Sequence, residues 1–443
     1  MRGSIPAEHA PHNPALKRLK VPCSKRLGPY ICRVKGPPPR VFYPGIFLLL
    51  ALFCCQLHAQ LDPEKRRLIQ LGYNQSLEGR GPIAAYGFYY YNNPDFLTTN
   101  MTLRLAVAPI YLDAELGFKG LLSPNTDVAV GLAGGGFADS YSEVRRGRYI
   151  RGESFTGHGG ETSVSLYHRF NPEDRLPLWA IVRATVHRTI FEEDTGTDDG
   201  FILPMDRTDF HVRSGFRLGG QAPTMTDPLA LELAAFYEGQ FRTDSGNYGF
   251  ASDRRVEDDS HLFWGRGLLK YTFVPSLQWF QTSLTAGTSL NADRFSAYRL
   301  GGFLPFTSEF PLNLPGYYFQ ELSAESFTLL NGQYAIPIDP NKQWEISAFA
   351  GTGWVDYLDD LKQPGTWHSG AGIGLTWTSP TTAWMISLFY AHGFDAIRND
   401  ERGANSVGFL LQYDFEAKKH RLSRFEPGIS PYKSRGAERL LFQ

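Results

Sequence analysis

The sequence predicts an all-β protein, a transmembrane antiparallel β-barrel of sixteen strands. Segments of about ten residues in which apolar and polar side chains alternate recur along the chain, as in strands that are buried on one face. Short turns rich in Pro, Asp and Asn alternate with long polar loops. After residue 60 no segment shows the 3.6-residue apolar period of a long helix. Together these features are the sequence pattern of barrels that cross an outer membrane.

The segment 406–415 shows the strand pattern most clearly. Its odd-numbered positions from Val407 to Phe415 are apolar and are predicted to face lipid. Its even-numbered positions are mostly small or polar, with Leu410 as the exception, and are predicted to face the lumen. The same alternation occurs in residues 229–241 and 383–392. Aromatic residues near strand ends are predicted to form girdles at the membrane interfaces: Trp179, Trp264, Trp384 and Tyr413.

The connections between strands alternate in length. Short, periplasmic turns are predicted near residues 92–98, 119–126, 171–177, 222–228, 274–276, 338–342 and 379–382. Long loops are predicted near residues 139–159, 192–207, 243–260, 292–320, 355–368 and 394–404. A soluble β-sandwich is the rival fold, but it seldom combines so many long amphipathic strands with long loops on one side only.

Counting strands back from Phe415 gives fifteen clear or fair candidates and a weaker sixteenth at about 66–75. Closure with both chain ends on one side of the membrane requires an even number of strands. Residues 60–415 are therefore predicted to be one barrel domain of sixteen strands. The basic, turn-rich residues 416–443 are predicted to be a periplasmic tail, either disordered or in contact with peptidoglycan, anionic lipid or a soluble partner.

Residues 1–59 are predicted to be a leader that contains a signal peptide. The apolar run 46–55 is too short to cross a bilayer as a helix, which needs about 20 residues, but it fits the apolar region of a signal peptide. Ala59 supplies a small residue for cleavage, and the mature chain would begin near Gln60. Val34 is an alternative start site, which would give the signal peptide a more usual basic beginning.

Composition excludes several classes of function. A net charge of −1 gives no support to nucleic-acid binding. All four cysteines, Cys23, Cys32, Cys54 and Cys55, lie in the leader, so the barrel has no cysteine for a redox pair or a metal site. A lipoprotein that begins at Cys54 or Cys55 is a weaker alternative, because a bulky residue precedes each cysteine.

No motif for catalysis or for a cofactor occurs in the barrel. The histidines lack zinc-binding spacing, Gly-x-Ser-x-Gly is absent, and the acidic segment 194–200 does not fit a calcium loop. We therefore expect neither a cofactor, nor a metal ion, nor enzyme activity. The basic segment from Arg145 to Arg148 is either a solvated part of a long loop or a contact for lipopolysaccharide phosphates.

The longest predicted loop, residues 292–320, falls between strands 11 and 12 and is therefore the sixth loop on its side. Near its start stand Arg299, Leu300, Gly301 and Gly302, and at its predicted tip stand Leu314, Pro315, Gly316 and Tyr317. These segments resemble loop six of the BamA/TpsB-like superfamily, also called the bacterial surface antigen family. In that family the loop folds into the lumen and carries Arg-Gly-Tyr or Arg-Gly-Phe at its tip. Here Pro315 stands in place of the arginine.

The following strand resembles the Phe-x-Asp-x-Gly motif of the same family, with Phe349, Gly351 and Gly353 at the matching positions. Gly351 stands in place of the aspartate. The resemblance implies that the loop arginine is normally held by a polar contact from this strand. An unpaired buried charge is costly, so losing both members together is physically consistent. Docking of the loop would then depend on Tyr317, the glycines and packing.

The end of the barrel resembles the signal by which such barrels are recognised for insertion, through Gly408, Leu411, Tyr413 and Phe415. Members of the family usually carry POTRA domains before the barrel. The segment between Gln60 and the first strand is too short for one, so the resemblance implies a barrel without POTRA domains.

The resemblance implies a barrel that acts in outer-membrane protein or lipid traffic, with a weak seam between strands 1 and 16. Its expected partners are outer-membrane lipid and a separate periplasmic chain that hands over substrates, and not nucleic acid. The alternative is a passive pore or a structural protein, since sixteen strands are wide enough for an aqueous channel. Tyr317 docked against strand 13 would favour the first function, and an open lumen with charged rings the second.

Overall fold

The structure, a computed structural model, describes residues 65–82, 84–172, 176–220, 229–273, 276–303 and 310–417. The predicted signal peptide and all but two residues of the predicted tail lie outside these ranges. No helix in the described residues is long and apolar enough to cross a membrane.

Sixteen antiparallel strands form one closed sheet, which confirms the predicted all-β barrel. The first strand, for which the sequence pattern was weakest, is present. The first eight strands are β1 (Arg66–Ser76), β2 (Ala84–Asn93), β3 (Met101–Ala108), β4 (Tyr111–Ser123), β5 (Thr126–Gly135), β6 (Phe155–Arg169), β7 (Leu178–Glu193) and β8 (Arg207–Gly219). The second eight are β9 (Leu229–Arg242), β10 (Asp259–Phe273), β11 (Gln278–Leu290), β12 (Leu322–Pro337), β13 (Trp344–Tyr357), β14 (Trp367–Thr378), β15 (Trp384–Arg398) and β16 (Glu401–Asp414). Consecutive strands pair, and β16 returns to pair with β1.

The strands carry their apolar side chains outward, the reverse of a soluble protein. In β9, Leu233 is 51% exposed while the adjacent Glu232 is only 3% exposed. This pattern is typical of a barrel that is surrounded by lipid. Of the predicted girdle residues, Trp384 lies on the outer face, but Trp179 and Trp264 belong to one apolar cluster inside the barrel, which contradicts their predicted place.

The connections fall into two sets at opposite ends of the barrel. The turns after the even-numbered strands form the short-turn end, and the connections after the odd-numbered strands form the long-loop end. We number the latter loop one to loop eight in chain order. Loop six, residues 291–321, is the longest and lies between β11 and β12. Loop one covers residues 77–83, and loop three covers residues 136–154.

The predicted long loop at 394–404 is wrong. β15 continues to Arg398, β16 begins at Glu401, and loop eight is only the pair Asn399 and Asp400. Both residues have positive φ, 52° and 67°, which suits the tight hairpin turns that match the twist of a sheet. The segment is polar because it turns tightly and faces solvent, and polarity alone does not distinguish the end of a hairpin from a long loop.

The seam between β1 and β16 is fully paired. These strands match over nine positions, Leu68 to Ser76 against Asp414 to Ser406, as many as β1 matches with β2. The expected weak seam is therefore not visible as a short ladder. At the short-turn end an ion pair of 2.7 Å joins Nε of Arg67 to Oε1 of the buried Glu416.

The seam is also joined at the long-loop end. Beyond the last ladder position, the Glu78 carboxylate accepts hydrogen bonds from the backbone N and from Nδ2 of Asn405, each 2.6 Å long. Side chains thus extend the joint past both ends of the ladder.

The interior has two chemically different walls. Strands β3 to β10 carry buried ion pairs, and those described include Arg104 with Asp113, Arg183 with Glu161, Arg213 with Glu238, and Arg266 with Glu232. Strands β13 to β15 instead carry glycines on their inner face, among them Gly351, Gly370, Gly372 and Gly393. One wall is therefore polar and filled by side chains, and the other leaves room for another part of the chain.

In the described strands, five inward-facing glycines lie beneath the ring of an aromatic residue directly opposite on the neighbouring strand. A Cβ atom at each of these glycines would overlap the facing ring, so the ring lies flat over bare backbone. The pairs are Gly72 with Tyr86, Gly215 with Phe236, Gly287 with Phe327, Gly372 with Phe349, and Gly408 with Phe389.

We expect Gly372→Ala to destabilise the barrel by about 1–3 kcal/mol, because the added methyl group overpacks the site against Phe349. The temperature at which the folded barrel unfolds in detergent measures the effect. Gly332→Ala is the matched control, since a Cβ atom there meets nothing within 4 Å. Equal unfolding temperatures for the two variants would contradict this role of the glycine.

Candidate functional site

Loop six begins by adding a short strand to the barrel wall. Residues Tyr298–Leu300 pair with the start of β12, where Leu300 lies opposite Leu322. Gly301 and Gly302 then reverse the chain with φ of 138° and 70°, a region that favours glycine. The chain returns to the same place, because Leu314 N donates a 2.9 Å hydrogen bond to Gly302 O. The predicted first half of the motif thus forms the neck of the loop.

The tip of loop six lies on the glycine-lined inner wall. A Cβ atom at Gly351 would lie 3.2 Å from Cδ of Pro315, and one at Gly370 would overlap the Pro315 carbonyl oxygen. Gly316 has φ of 86°, and its own Cβ position is filled by the backbone of Gly393. Backbone therefore packs directly on backbone across β13, β14 and β15, and side chains at these positions would prevent the contact.

Pro315 and Gly351 are the positions at which the resemblance implied an arginine and an aspartate. The structure places the two residues against each other. Part of the space that a side chain at Gly351 would need is taken by Oδ1 of Asn331, 2.5 Å from the Cβ position. The contact between the tip and β13 is made here by close packing without charge.

Tyr317 is completely buried beside the tip and forms part of a chain of hydrogen bonds. Its hydroxyl lies 3.0 Å from Nδ1 of His368, and Nε2 of His368 bonds to the hydroxyl of Tyr357. Tyr357 donates its only hydroxyl proton to the carbonyl oxygen of Gly365 at 3.0 Å, so His368 must donate from Nε2. Nδ1 therefore accepts the proton of Tyr317. Burial, followed by the nearby Glu321, raises the pKa of Tyr317 and keeps that proton in place.

A buried ion pair holds the end of the loop. Arg398 donates from both terminal nitrogens to the two carboxylate oxygens of Glu321, at 2.9 and 2.8 Å, and both residues are at most 2% exposed. Glu321 also accepts a 2.8 Å bond from the backbone N of Tyr318. The guanidinium of Arg398 lies 3.5 Å over the Tyr318 ring. Sequence reasoning missed this pair, because Arg398 stood in the predicted loop 394–404.

Loop six also reaches across the seam. The Tyr318 hydroxyl donates a 3.2 Å hydrogen bond to the carbonyl oxygen of Glu78 in loop one, and the Glu78 side chain in turn bonds to Asn405 of β16. We call Glu78, Tyr318, Glu321, Arg398 and Asn405 the loop-six latch. Through these five residues the loop is tied to β15 on one side of the seam and to the end of β1 on the other.

Two phenylalanines place loop six inside the lumen. Phe303 stacks on Phe349 with ring centroids 4.1 Å apart, against the wall of β13 and β15. Phe310 packs on Phe236 of β9 at 5.4 Å, and the guanidinium of Arg266 lies 4.5 Å from the Phe310 ring centroid. The two sides of the loop therefore contact different walls of the interior.

The structure does not bring all the predicted residues to this site. Leu300, Leu314 and Tyr317 share one buried cluster, but Gly353 packs against β12. Arg299 donates to Ser142 of loop three at 2.9 Å and does not contact the tip.

The residues predicted as an insertion signal lie away from loop six, at the end of β16. Leu411, Tyr413 and Phe415 occupy outward-facing positions, whereas Gly408 faces inward beneath Phe389. Within the described parts of the chain, no group of three or more His, Cys, Asp or Glu side chains is placed to hold a metal ion.

We expect Glu321→Gln to destabilise the barrel by roughly 3–5 kcal/mol, because it leaves the charge of Arg398 buried without its partner. The unfolding temperature and the protease sensitivity of loop six report the change. Lys362→Ala is the matched control, since its ion pair with Asp359 in loop seven is exposed and contributes little. If both variants unfold like the unmodified chain, the ion pair does not hold the loop.

Comparison of the sequence with protein-family models and with curated proteins gives no match. The fold does match solved structures. CdiB from Acinetobacter baumannii superposes with a TM-score of 0.52 at 10% identity, over 80% of this chain and 60% of CdiB. CdiB from Escherichia coli gives 0.53 at 14% identity, over 80% and 64%. A BamA from Haemophilus ducreyi lacking POTRA domains 1-3 gives 0.50 at 12% identity, over 80% and 71%.

The chain thus spans a little under two thirds of the CdiB proteins and somewhat more of the BamA structure. At these identities the likeness concerns the fold. It confirms the predicted resemblance at that level: the chain has the same sixteen-stranded barrel fold as the CdiB and BamA barrels.

Proposed function

We propose that this chain is an outer-membrane barrel of the assembly and secretion type, and that it acts in outer-membrane protein or lipid traffic. The observation that carries the proposal is loop six, which is docked inside the barrel and latched across the seam. The apolar outer face and the likeness to BamA and CdiB barrels support an outer-membrane location. In this orientation the short-turn end faces the periplasm and the long-loop end faces outward.

The seam is the natural place for such a barrel to open. Every other pair of neighbouring strands is joined by its own turn or loop, whereas β1 and β16 are held only by non-covalent contacts. An opened seam would expose two strand edges, and unsatisfied backbone groups are costly in lipid. Another strand would therefore have to replace the lost hydrogen bonds. Exchange of this kind needs no covalent chemistry, so we propose a role without enzyme activity.

We further propose that a separate periplasmic chain delivers the cargo and that outer-membrane lipid surrounds the barrel. The strands that meet the short-turn end are joined by connections of two to nine residues, which leave no room for a folded domain between them. A carrier would therefore have to bind at this rim from outside the barrel domain.

A passive pore is the second candidate, and the charged wall of β3 to β10 favours it. Ion pairs such as Arg104 with Asp113 and Arg183 with Glu161 line this side of the interior. A polar wall of this kind suits water and ions.

The seam is tested by a reversible cross-link. Gln70 and Gln412 face each other across it, with their side chains 2.9 Å apart, and the predicted mature chain has no cysteine of its own. We expect oxidised Q70C/Q412C to lower the outer-membrane content of cargo proteins or lipids several-fold in cells that depend on this chain, and a reductant to restore it. Mass spectrometry of purified membranes gives the measurement.

The matched control is N74C/A84C, which cross-links β1 to β2 at an inward-facing pair and leaves the seam free. It should behave like the unmodified chain. If the seam pair is fully oxidised and the membrane composition does not change, the proposal that the seam opens is contradicted.

Conductance separates the two candidates. In planar bilayers we expect the unmodified barrel to be nearly closed and a variant lacking residues 303–318 to conduct, because this segment contacts two different walls of the lumen. Steady conductance of the unmodified barrel that the deletion barely changes would favour the passive pore.

A further inference from the structure

We propose that loops one, three and eight form a binding site for the phosphate groups of lipid headgroups in the outer leaflet. The inference rests on the proposed placement of the barrel in the outer membrane. The site is a cleft of about 310 Å³ above the outer end of the seam. It is lined by Gly79, Arg80, Gly147, Arg148, Tyr149, Asn399 and Asp400.

Gly147 allows loop three to lie close to the end of β15. Val144–Arg145 and Arg148–Tyr149 form a small hairpin whose turn contains Gly147, with φ of 70°. A Cβ atom at Gly147 would overlap the carbonyl oxygen of Ile397 at the end of β15. The absence of a side chain therefore lets the hairpin lean across the barrel mouth until Arg148 stands over loop eight.

Arg80 of the cleft differs from Arg254 and Arg294, two other arginines of the outer loops. Arg254 and Arg294 face the buried carboxylate of Glu143, so their charges are neutralised within the protein. Arg80, which lines the cleft, and Arg146, which precedes Gly147 in the hairpin turn, are exposed and form no ion pair with any described residue. Exposed guanidinium groups without an ion-pair partner are suited to bidentate hydrogen bonds with phosphate.

Arg148 is available as well. Its ion pair with Asp400 joins side chains that are 60% and 76% exposed, and such a pair contributes little to stability. A doubly charged phosphate can therefore displace Asp400 at small cost. Arg80 and Arg148 line the same cleft from different loops, so one headgroup can contact both.

The cleft lies at the depth of lipid headgroups. A tilted strand crosses the hydrocarbon with about 9–11 residues, and β16 has 14. The strand begins at loop eight with the exposed polar residues Glu401 and Arg402, so this end extends past the hydrocarbon into the polar layer. On the outer face near this end, Phe394 is 53% and Trp367 is 65% exposed, and both are placed to contact acyl chains. Basic groups above an apolar surface match a phosphorylated lipid better than a soluble anion.

The test is native mass spectrometry of the delipidated barrel in detergent, titrated with diphosphorylated lipid A. We expect R80Q/R148Q to bind lipid A about tenfold more weakly or worse, because both charge-assisted contacts are removed. R255Q is the matched control: Arg255 is a similarly exposed loop arginine that does not line the cleft. Dephosphorylated lipid A should bind the unmodified barrel about as weakly as lipid A binds the double variant.

Two results would overturn the proposal. Equal binding of lipid A by R80Q/R148Q and by the unmodified barrel excludes the cleft, provided that both unfold at the same temperature. Complete displacement of lipid A by equimolar inorganic phosphate shows a site for free anions. Neither result depends on cargo traffic, so a barrel with an active seam can fail this test, and a barrel that binds lipid A can fail the cross-linking test.

Discussion

Closure of the sheet between β1 and β16 is the constraint on which the rest of this structure depends. A sheet in lipid cannot leave an edge unpaired, because the exposed N–H and C=O groups have no water to bind. Here the closing pair has nine matched positions and no covalent link. Side chains reinforce both of its ends, Arg67 with Glu416 at one and Glu78 with Asn405 at the other. The joint is thus closed by contacts that can each be reversed.

The inner wall near the seam explains why loop six can lie inside a closed barrel. Where β13 to β15 carry Gly351, Gly370 and Gly393, the backbone of the tip approaches the backbone of the wall. On the opposite side, strands β3 to β10 fill the interior with ion pairs and aromatic rings. The inward-facing glycines therefore have two different roles. Some leave room for the backbone of loop six, and others lie beneath aromatic rings of the neighbouring strand.

The strands could be predicted from the sequence because lipid and lumen impose a period of two on every one of them. The prediction of a neck and a tip in loop six depended on glycines that occur in a recognisable order. The latch could not, because Glu321 and Arg398 are far apart in sequence and their contact depends on where β15 ends. Nor could the position of Trp179 be predicted: an aromatic residue near a strand end suits either face, and only the register shows that it points inward.

The attachment of loop six divides two tasks between different residues. Docking of the tip at Pro315 and Gly351 uses packing, while Glu321 and Arg398 tether the loop to β15 through two charged hydrogen bonds. Across the seam the loop contacts loop one without a charged bond, through the 3.2 Å hydrogen bond from Tyr318 to the Glu78 carbonyl and through packing of the Tyr318 ring on Gly81. A neutral bond contributes about 1 kcal/mol, and breaking a buried ion pair costs roughly 3–5 kcal/mol. If the seam opens, we expect the contacts without charge to break before the ion pair, so that loop six stays with β15 while β1 moves away.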